Sequence, residues 1–574
     1  LTVGGTSASL AARAFAGDLT LAGYTTTGTL TAQASGNIFQ TGTLLVGTTS
    51  SLNAGGNITL NNPANDFVGA VTVVNGQAVQ LVDLNSLTVG GTSASLVAQA
   101  NGGDLALAGY TTTGPLTGQA SGNISQSATL HVGSAASFNA GGNIDLPDTA
   151  NTFASVALAS SAGSLVRVSQ TNSMLLENVT ATNSTVVLTA SGSITQDAAT
   201  TVVAKELAAT AVTGISLPND NNVQNLAGAL SGPGDFEFKD IGSLTVTTVN
   251  GVVGITATAP GSRVTLDADQ ISITSSGVSA GLNSVLLQPV SATGNLMLSG
   301  PYAPPSTPLN YSGLNNVKAG ILQVGNDATF SGNISVAATI ALTNRSNLPY
   351  QPTPVGLATN DVTTLSLQTH GGSISNLFTA GSWAVVDVPR LSLVASNAAI
   401  LGSLANSSDV SFLAWRTSNP IEFIDANTLD LLWVDTANIG HNVAPVDDHL
   451  NVNHVYYGID SVFGAFPVNG NQILFNGGGV PAQQFANSLV PFNDVELPMT
   501  RLTLSAVSVD FNLKEYGAKI DALLPGAIWR SFAQMPFTPQ MPLEDQVKPE
   551  AASKWVRGYL GISGSTGSPQ QSAY

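Results

Sequence analysis

The sequence predicts an all-β chain wound into a parallel β-helix, a solenoid with coils of about 20 residues, and three observations predict it. The decapeptide LTVGGTSASL occupies Leu1–Leu10 and recurs unchanged at Leu87–Leu96. Within the 86-residue unit this defines, strand-like cores recur at nearly even steps. The composition supplies small and β-forming residues with little charge: 59 Gly, 43% hydrophobic and only 9% charged, against roughly 25% charged in an ordinary soluble domain.

The duplication runs through the whole unit. GYTTTG begins at Gly23 and Gly109, SGNI ends at Ile38 and Ile124, and AGGNI ends at Ile58 and Ile144. Every pair is offset by the same 86-residue unit, so 1–86 and 87–172 are tandem copies. An eroded third copy follows, with ASGSI ending at Ile194 and TGISL containing Ile215. The cores GDLTL, GNIFQ, GNITL and QAVQL place Leu19, Ile38, Ile58 and Val79 on one ladder, and Leu105, Ile124, Ile144 and Leu165 repeat it. Each is a short alternating run of β-formers entered through Gly, Asn or Asp. Alternation turns Leu, Ile and Val inward and Thr, Ser and Gln outward, with strands stacking about 4.8 Å apart. Leucine-rich repeats lack their consensus here, propeller blades need about 40 residues with recurrent aromatics, and the chain has no Lys before Lys205 to feed a helical solenoid.

Further cores at Phe236, Leu296, Ile334 and Ile374 extend the β-helix over residues 1–400. Roughly 19 coils then give a rod on the order of 90 Å long. The segments PYAPPSTP (301–308) and 349–354 read as loops leaving the ladder, since Pro cannot continue one. Composition changes after about residue 380, and Trp383, Trp415, Trp433, Trp529 and Trp555 all lie beyond it. Residues 401–508 read as an aromatic, acidic, β-rich cap or continuation; between 409 and 500 ten carboxylates accompany one base, Arg416. Residues 509–535 read as a short helical segment, and 536–574 as a flexible Pro/Gly/Ser-rich tail able to dock on another subunit. Residues 501–574 hold seven bases and six acids, whereas residues 1–500 hold nine and 28.

The net charge of −18 repels nucleic-acid phosphates and anionic lipid. No apolar run approaches the roughly 18 residues of a membrane span, so no membrane insertion is expected. Zero Cys removes disulfides, thiolate metal sites and a Cys nucleophile, and is compatible with an extracellular bacterial product. The chain opens on Leu without a signal-peptide pattern and so reads as a piece of something longer.

Parallel β-helices include polysaccharide-degrading enzymes, so catalysis has to be tested. The first 200 residues carry eight acids and two bases, Arg13 and Arg167, with Asp18, Asp104 and Asp145 at turn-forming positions. Asp267 and Asp269 could share a face as a glycosidase pair, but alternating solvent positions explain them equally well. His441 and His454, with Asp447 and Asp448 between, are metal-ligand types at a spacing that fits no strict period, and read as a polar loop. No catalytic, cofactor-binding or metal residue is assigned, and no cofactor is expected. Asn-x-Ser/Thr sites at Asn57, Asn123, Asn178, Asn183, Asn310, Asn333, Asn344 and Asn406 are the number chance gives in so Asn-, Ser- and Thr-rich a chain.

The runs QTGTLLVGTTSSLNAGGNITLNNPANDFVGAVTV (40–73) and ASGNISQSATLHVGSAASFNAGGNIDLPDTANTF (120–153) resemble the filamentous-haemagglutinin-type exoproteins of Gram-negative bacteria. The G-N-I-x-Q/L and N-D-F-x-G-A-V phrases carry the resemblance, which covers roughly residues 1–400 and leaves the rest without a pattern. It implies a right-handed parallel β-helix, exported across the outer membrane and acting as an adhesin or matrix fibre. That family's N-terminal secretion domain, with its NPNG-type motif, is not in this chain. The resulting expectation is an extracellular or cell-surface structural and adhesive protein, not an enzyme, that self-associates into filaments and contacts glycans or cells. A monomeric glycan- or cell-binding adhesin module is the close rival, and a β-helical polysaccharide-degrading enzyme the distant one.

Overall fold

Alternation sets the local structure. In LTAQA, the strand Leu30–Ala34, the first, third and fifth side chains are buried and the others are not, and SSLNA at Ser50–Ala54 repeats the pattern one coil on. A strand with one buried face needs neighbours on both edges, and here each finds them in the coils before and after, in parallel register. The computed structural model describes residues 1–342 apart from 162 and 300–308, residues 362–401 apart from 363, 380–381, 385 and 397–398, and the segments 409–417, 421–425, 430–435 and 471–475. Among these the chain is a parallel β-solenoid of about 14 turns with roughly 20-residue coils. It contains no α-helix among the described residues, and one 3-10 turn at Leu314–Asn316. Two units divide the chain, Leu1–Ser262 and Arg263–Tyr574.

In the first unit each coil has three sides. Ile38–Val46 supplies two of them, bending at a register shift, and Ser50–Ala54 supplies the third. The bend recurs at Gly23 and Gly109, whose φ values of 83° and 80° lie where only glycine is at ease. Leu19, Ile38, Ile58 and Val79 follow one another on the first side, as their near-even spacing predicts. All four are buried to within 1% of full exclusion, each worth about 1.5–3 kcal/mol against exposure.

The two copies do not line up. Val79 stacks on Leu96, and Leu96 on Leu116. Leu105, the counterpart of Leu19, therefore opens the second side, where Leu105, Ile124 and Ile144 form their own ladder. With coils of this length, the 86-residue unit makes four turns plus one side. The third copy advances again: Ile194 and Ile215 stack between Met174 and Phe236 on the third side. The same G-N/S-I phrase thus occupies each side in turn. One register differs from the expected ladder, because Ile144 pairs with Val166, not Leu165. A one-residue insertion between Leu146 and Val166, relative to Leu60 and Val79, moves the whole strand.

The second unit is less regular. One parallel ladder runs through Leu266, Leu287, Val324, Leu367, Leu393, Trp415 and Val434. Another carries Leu296, Ile334 and Ile374, stacked on one another although nearly twice the usual length of chain separates them. Two such long turns take up the chain of about four ordinary ones, so fewer coils form than uniform spacing predicts. Between Leu298 and Leu309 the chain steps back one layer, so that Leu309–Ser312 lies between Gln270–Ile273 and Asn295–Leu298. Tyr311 on that strand is fully buried and donates its hydroxyl to the Ala268 carbonyl at 2.9 Å. Parallel stacking continues past residue 400 to Asp430–Asp435, whereas Asn471–Phe475 pairs antiparallel with Ile421–Asp425. The proline segments 301–308 and 349–354, His441 to His454, the helical segment 509–535 and the tail 536–574 lie outside the described residues.

Candidate interaction surface

The outer face is built from the positions that alternation leaves over. On the first side the outward column reads Thr20, Phe39, Thr59, Gln80, Val97, Thr117 and Ser137. On the third side Thr31, Ser51 and Thr72 stack beside Gln33, Asn53 and Asn75. Hydroxyls and amides repeat about every 4.8 Å along such columns, broken by few apolar side chains.

The corners are closed by polar ladders. Asp18 Oδ1 accepts the Asn37 N–H at 2.7 Å, Asn37 Oδ1 accepts Asn57 N–H at 2.8 Å, and Asn57 Oδ1 accepts Ala78 N–H at 3.1 Å. The second copy runs Ser86, Asp104, Asn123, Asn143 and Leu165 in the same way. Asp18 and Asp104 are therefore turn acceptors. Asp145 instead pairs with Arg167, in a two-pronged contact of 2.7 and 2.9 Å. Both partners are about 40% exposed, so the pair contributes little to stability.

The remaining candidates are also structurally committed. Asp269 accepts the Ser291 N–H at 2.8 Å and hydroxyl at 2.5 Å, while Asp267 ends its strand opposite Gln288, with buried Ala268 between the two acids. No group of three or more metal-ligating side chains converges among the described residues. Of the Asn-x-Ser/Thr sites, Asn310 is buried, and the carbonyls of Asn57, Asn123, Asn178 and Asn333 each accept a backbone N–H. Asn183 stands in the left-handed region at φ 59°, and Asn344 and Asn406 lie outside the described residues.

Sequence reasoning missed two buried polar devices. Gln40 and Asn65 exchange side-chain hydrogen bonds at 2.8 and 2.9 Å, and Asn65 Oδ1 also takes the Leu44 N–H. Gln126 with Asn151, and Gln196 with Asn221, reproduce this arrangement. Each Asn is fully buried and lies one coil beyond its Gln at the same sequence offset, so a polar staple joins successive coils once per copy. The signal was present as a Gln two residues after Ile38, Ile124 and Ile194, in GNIFQ, GNISQ and GSITQ, where the phrases ending at Ile58 and Ile144 carry Leu instead.

The second device is a buried carboxylate. Asp83 accepts the N–H groups of Phe67 and Asn85, and Asp240 accepts those of Val223 and Gly242, at 2.6 to 2.7 Å. Burial pushes both acids up against the pull of those donors, Asp240 to about 6. The folded state then holds protons that the unfolded chain releases, so these two acids favour the fold at low pH. That contribution fades as pH rises through about 6. We expect a melting temperature a few degrees higher at pH 5 than at pH 7.5, and a smaller difference in Asp240→Asn. A flat profile in the parent would show that Asp240 stays ionised.

These features define a parallel β-helical repeat protein with a sparsely charged, laddered exterior. A family described as repeats of unknown function (DUF5649) matches residues 1–74 and 93–160, so the chain is similar to that family across the two clear copies. No curated protein and no solved structure matches the chain.

Proposed function

We propose that this chain is a non-catalytic structural and adhesive β-helix that works outside the cell, associating with copies of itself and holding glycans or cell surfaces through its outer columns. The observation that carries the reading is the exterior of the first unit, where Thr, Ser, Gln and Asn repeat at strand spacing on more than one side. Such groups make individually weak contacts whose strength comes from number. The advance of one side per copy supports it, because no single face holds all the repeat-borne positions and partners can be met from several directions.

Contacts made by hydroxyls and amides are little screened by salt. Beads coated with the full chain should therefore hold to cells or immobilised glycans nearly as well in 0.5 M as in 0.1 M salt. Electron microscopy of the same material should show linear assemblies. Release of new sugar ends from a polysaccharide would overturn the proposal, and so would material that neither attaches nor assembles.

A further inference from the structure

The outward column on the second side changes character along the first unit. It is polar at Ser125, Asp145 and Arg167 and then runs through Val187, Ala208 and Ala227. These three face outward, because Val186, Leu188, Leu207 and Leu226 beside them fill the interior. They are nevertheless 9%, 0% and 0% exposed. What covers them is the chain's own antiparallel hairpin, Thr248–Val249 with Val252–Val253, whose Val249 is 1% exposed against the stripe, with Val252 and Leu165 packed at its margin.

The hairpin is an insertion in the middle of a strand. Leu226 pairs with Val246 and Gly228 with Ile255, so only position 227 faces the point where the chain leaves the ladder. The Thr247 N–H donates to the Leu226 carbonyl at 3.0 Å, and the Gly228 N–H to the Gly254 carbonyl at 2.8 Å, which fixes both roots. Asn250 and Gly251 both have positive φ, 46° and 86°, as a tight two-residue hairpin turn requires. The ladder itself needs none of this, since one residue in place of the segment from Thr247 to Gly254 would close it. The excursion does something else: it lays a valine pair over three consecutive coils.

A bare β-face with apolar side chains on three adjacent strands is the surface on which two sheets stack about 10 Å apart. We infer that the Thr248–Val253 hairpin is a shield, which keeps the Val187–Ala208–Ala227 stripe from docking sideways onto the same stripe of a second copy of this chain. Lateral association is thereby withheld from this side, whatever the ends and the polar columns do. The inference does not depend on the adhesive reading, because pairing across the stripe adds width and end-to-end assembly adds length.

The test is the full chain with the segment Thr247–Gly254 replaced by a single Thr, followed by sedimentation velocity, binding of a hydrophobic dye and electron microscopy. The variant should keep the parental β circular-dichroism spectrum, bind several-fold more dye and at least double its weight-average mass, with particles paired side by side. Adding Val187→Thr, Ala208→Ser and Ala227→Ser to it should return mass and dye binding to parental values. A shortened variant that sediments and binds dye like the parent overturns the shield. If shortening abolishes the β spectrum, Val249→Asp decides: a charge on the hairpin's inner face lifts it without altering the ladder. Lateral pairing is then expected, and its absence overturns the proposal.

Discussion

Replacing Asn151 with Leu should cost about 3–5 kcal/mol, although the side chains are similar in size. Asn151 is fully buried, and its Oδ1 accepts the Leu130 N–H at 2.8 Å and Gln126 Nε2 at 2.9 Å. Its Nδ2 donates to Gln126 Oε1 at 2.7 Å, to the Ser169 carbonyl at 3.2 Å and to the Leu146 carbonyl. Leucine meets none of these groups, so a buried backbone N–H and two buried carbonyls lose a partner where water does not reach, and the half-buried Gln126 amide loses both of its bonds to Asn151. Repeat arrays open locally, so a single melting temperature would blur the effect. Hydrogen exchange should be read on the amides of 124–168, and we expect it to accelerate roughly a hundredfold or more. The amides of 38–60, around the intact Gln40–Asn65 staple, should keep parental rates and serve as an internal reference. Exchange at 124–168 within twofold of the parent would mean that water or a shifted Gln126 replaces the lost partners. The paired variant Gln126→Leu with Asn151→Leu should be milder than the single one, because one of the orphaned amides is then gone.

Much of the architecture was legible because it depends on a period. Leu19, Ile38, Ile58 and Val79 stack as their spacing requires, since a step of one coil returns the chain to the same inward position. What a one-dimensional period cannot carry is angular phase. The 86-residue repeat looks like a unit that should stack on itself, yet its length leaves a remainder of one side, and Leu105 opens a different ladder from Leu19. The staples were hidden for a related reason. Asn65 and Asn221 look like loop residues in NNPAN and PNDNN, and only the fold brings each against a Gln one coil earlier. The hairpin did leave a local mark, an Asn-Gly pair between Thr-Val and Val-Val, but nothing in the sequence says which face it folds against.

The duplication also contains its own packing experiment, and it predicts a coupled pair. In the first copy Ala32 stacks on Leu52, and in the second Gly118 stacks on Phe138 at the equivalent positions. A Cβ on Gly118 would come 3.1 Å from Phe138 Cδ1 and 3.0 Å from Leu105 Cδ2, closer than a packed core tolerates without movement. Phe138 is buried and held edge-on to Phe153, with ring centroids 6.0 Å apart, so it has little freedom to retreat. Gly118→Ala should therefore destabilise the second copy by about 1–3 kcal/mol by overpacking. Phe138→Leu should cost a similar amount, by opening a void where the ring had been. Together they rebuild the pair that the first copy already uses, so the double variant should lose less than the sum of the singles. The coupling is expected at about 1–2 kcal/mol. Denaturant unfolding of the four proteins, followed by exchange at the amides of 105–140, completes the cycle. Additive losses would mean that the Gly118 environment relaxes independently of the ring, and the two substitutions separating the copies would then be unlinked. Coupling of the expected size would make the size exchange across these two ladder positions a compensated one, a small residue made smaller to admit a large one.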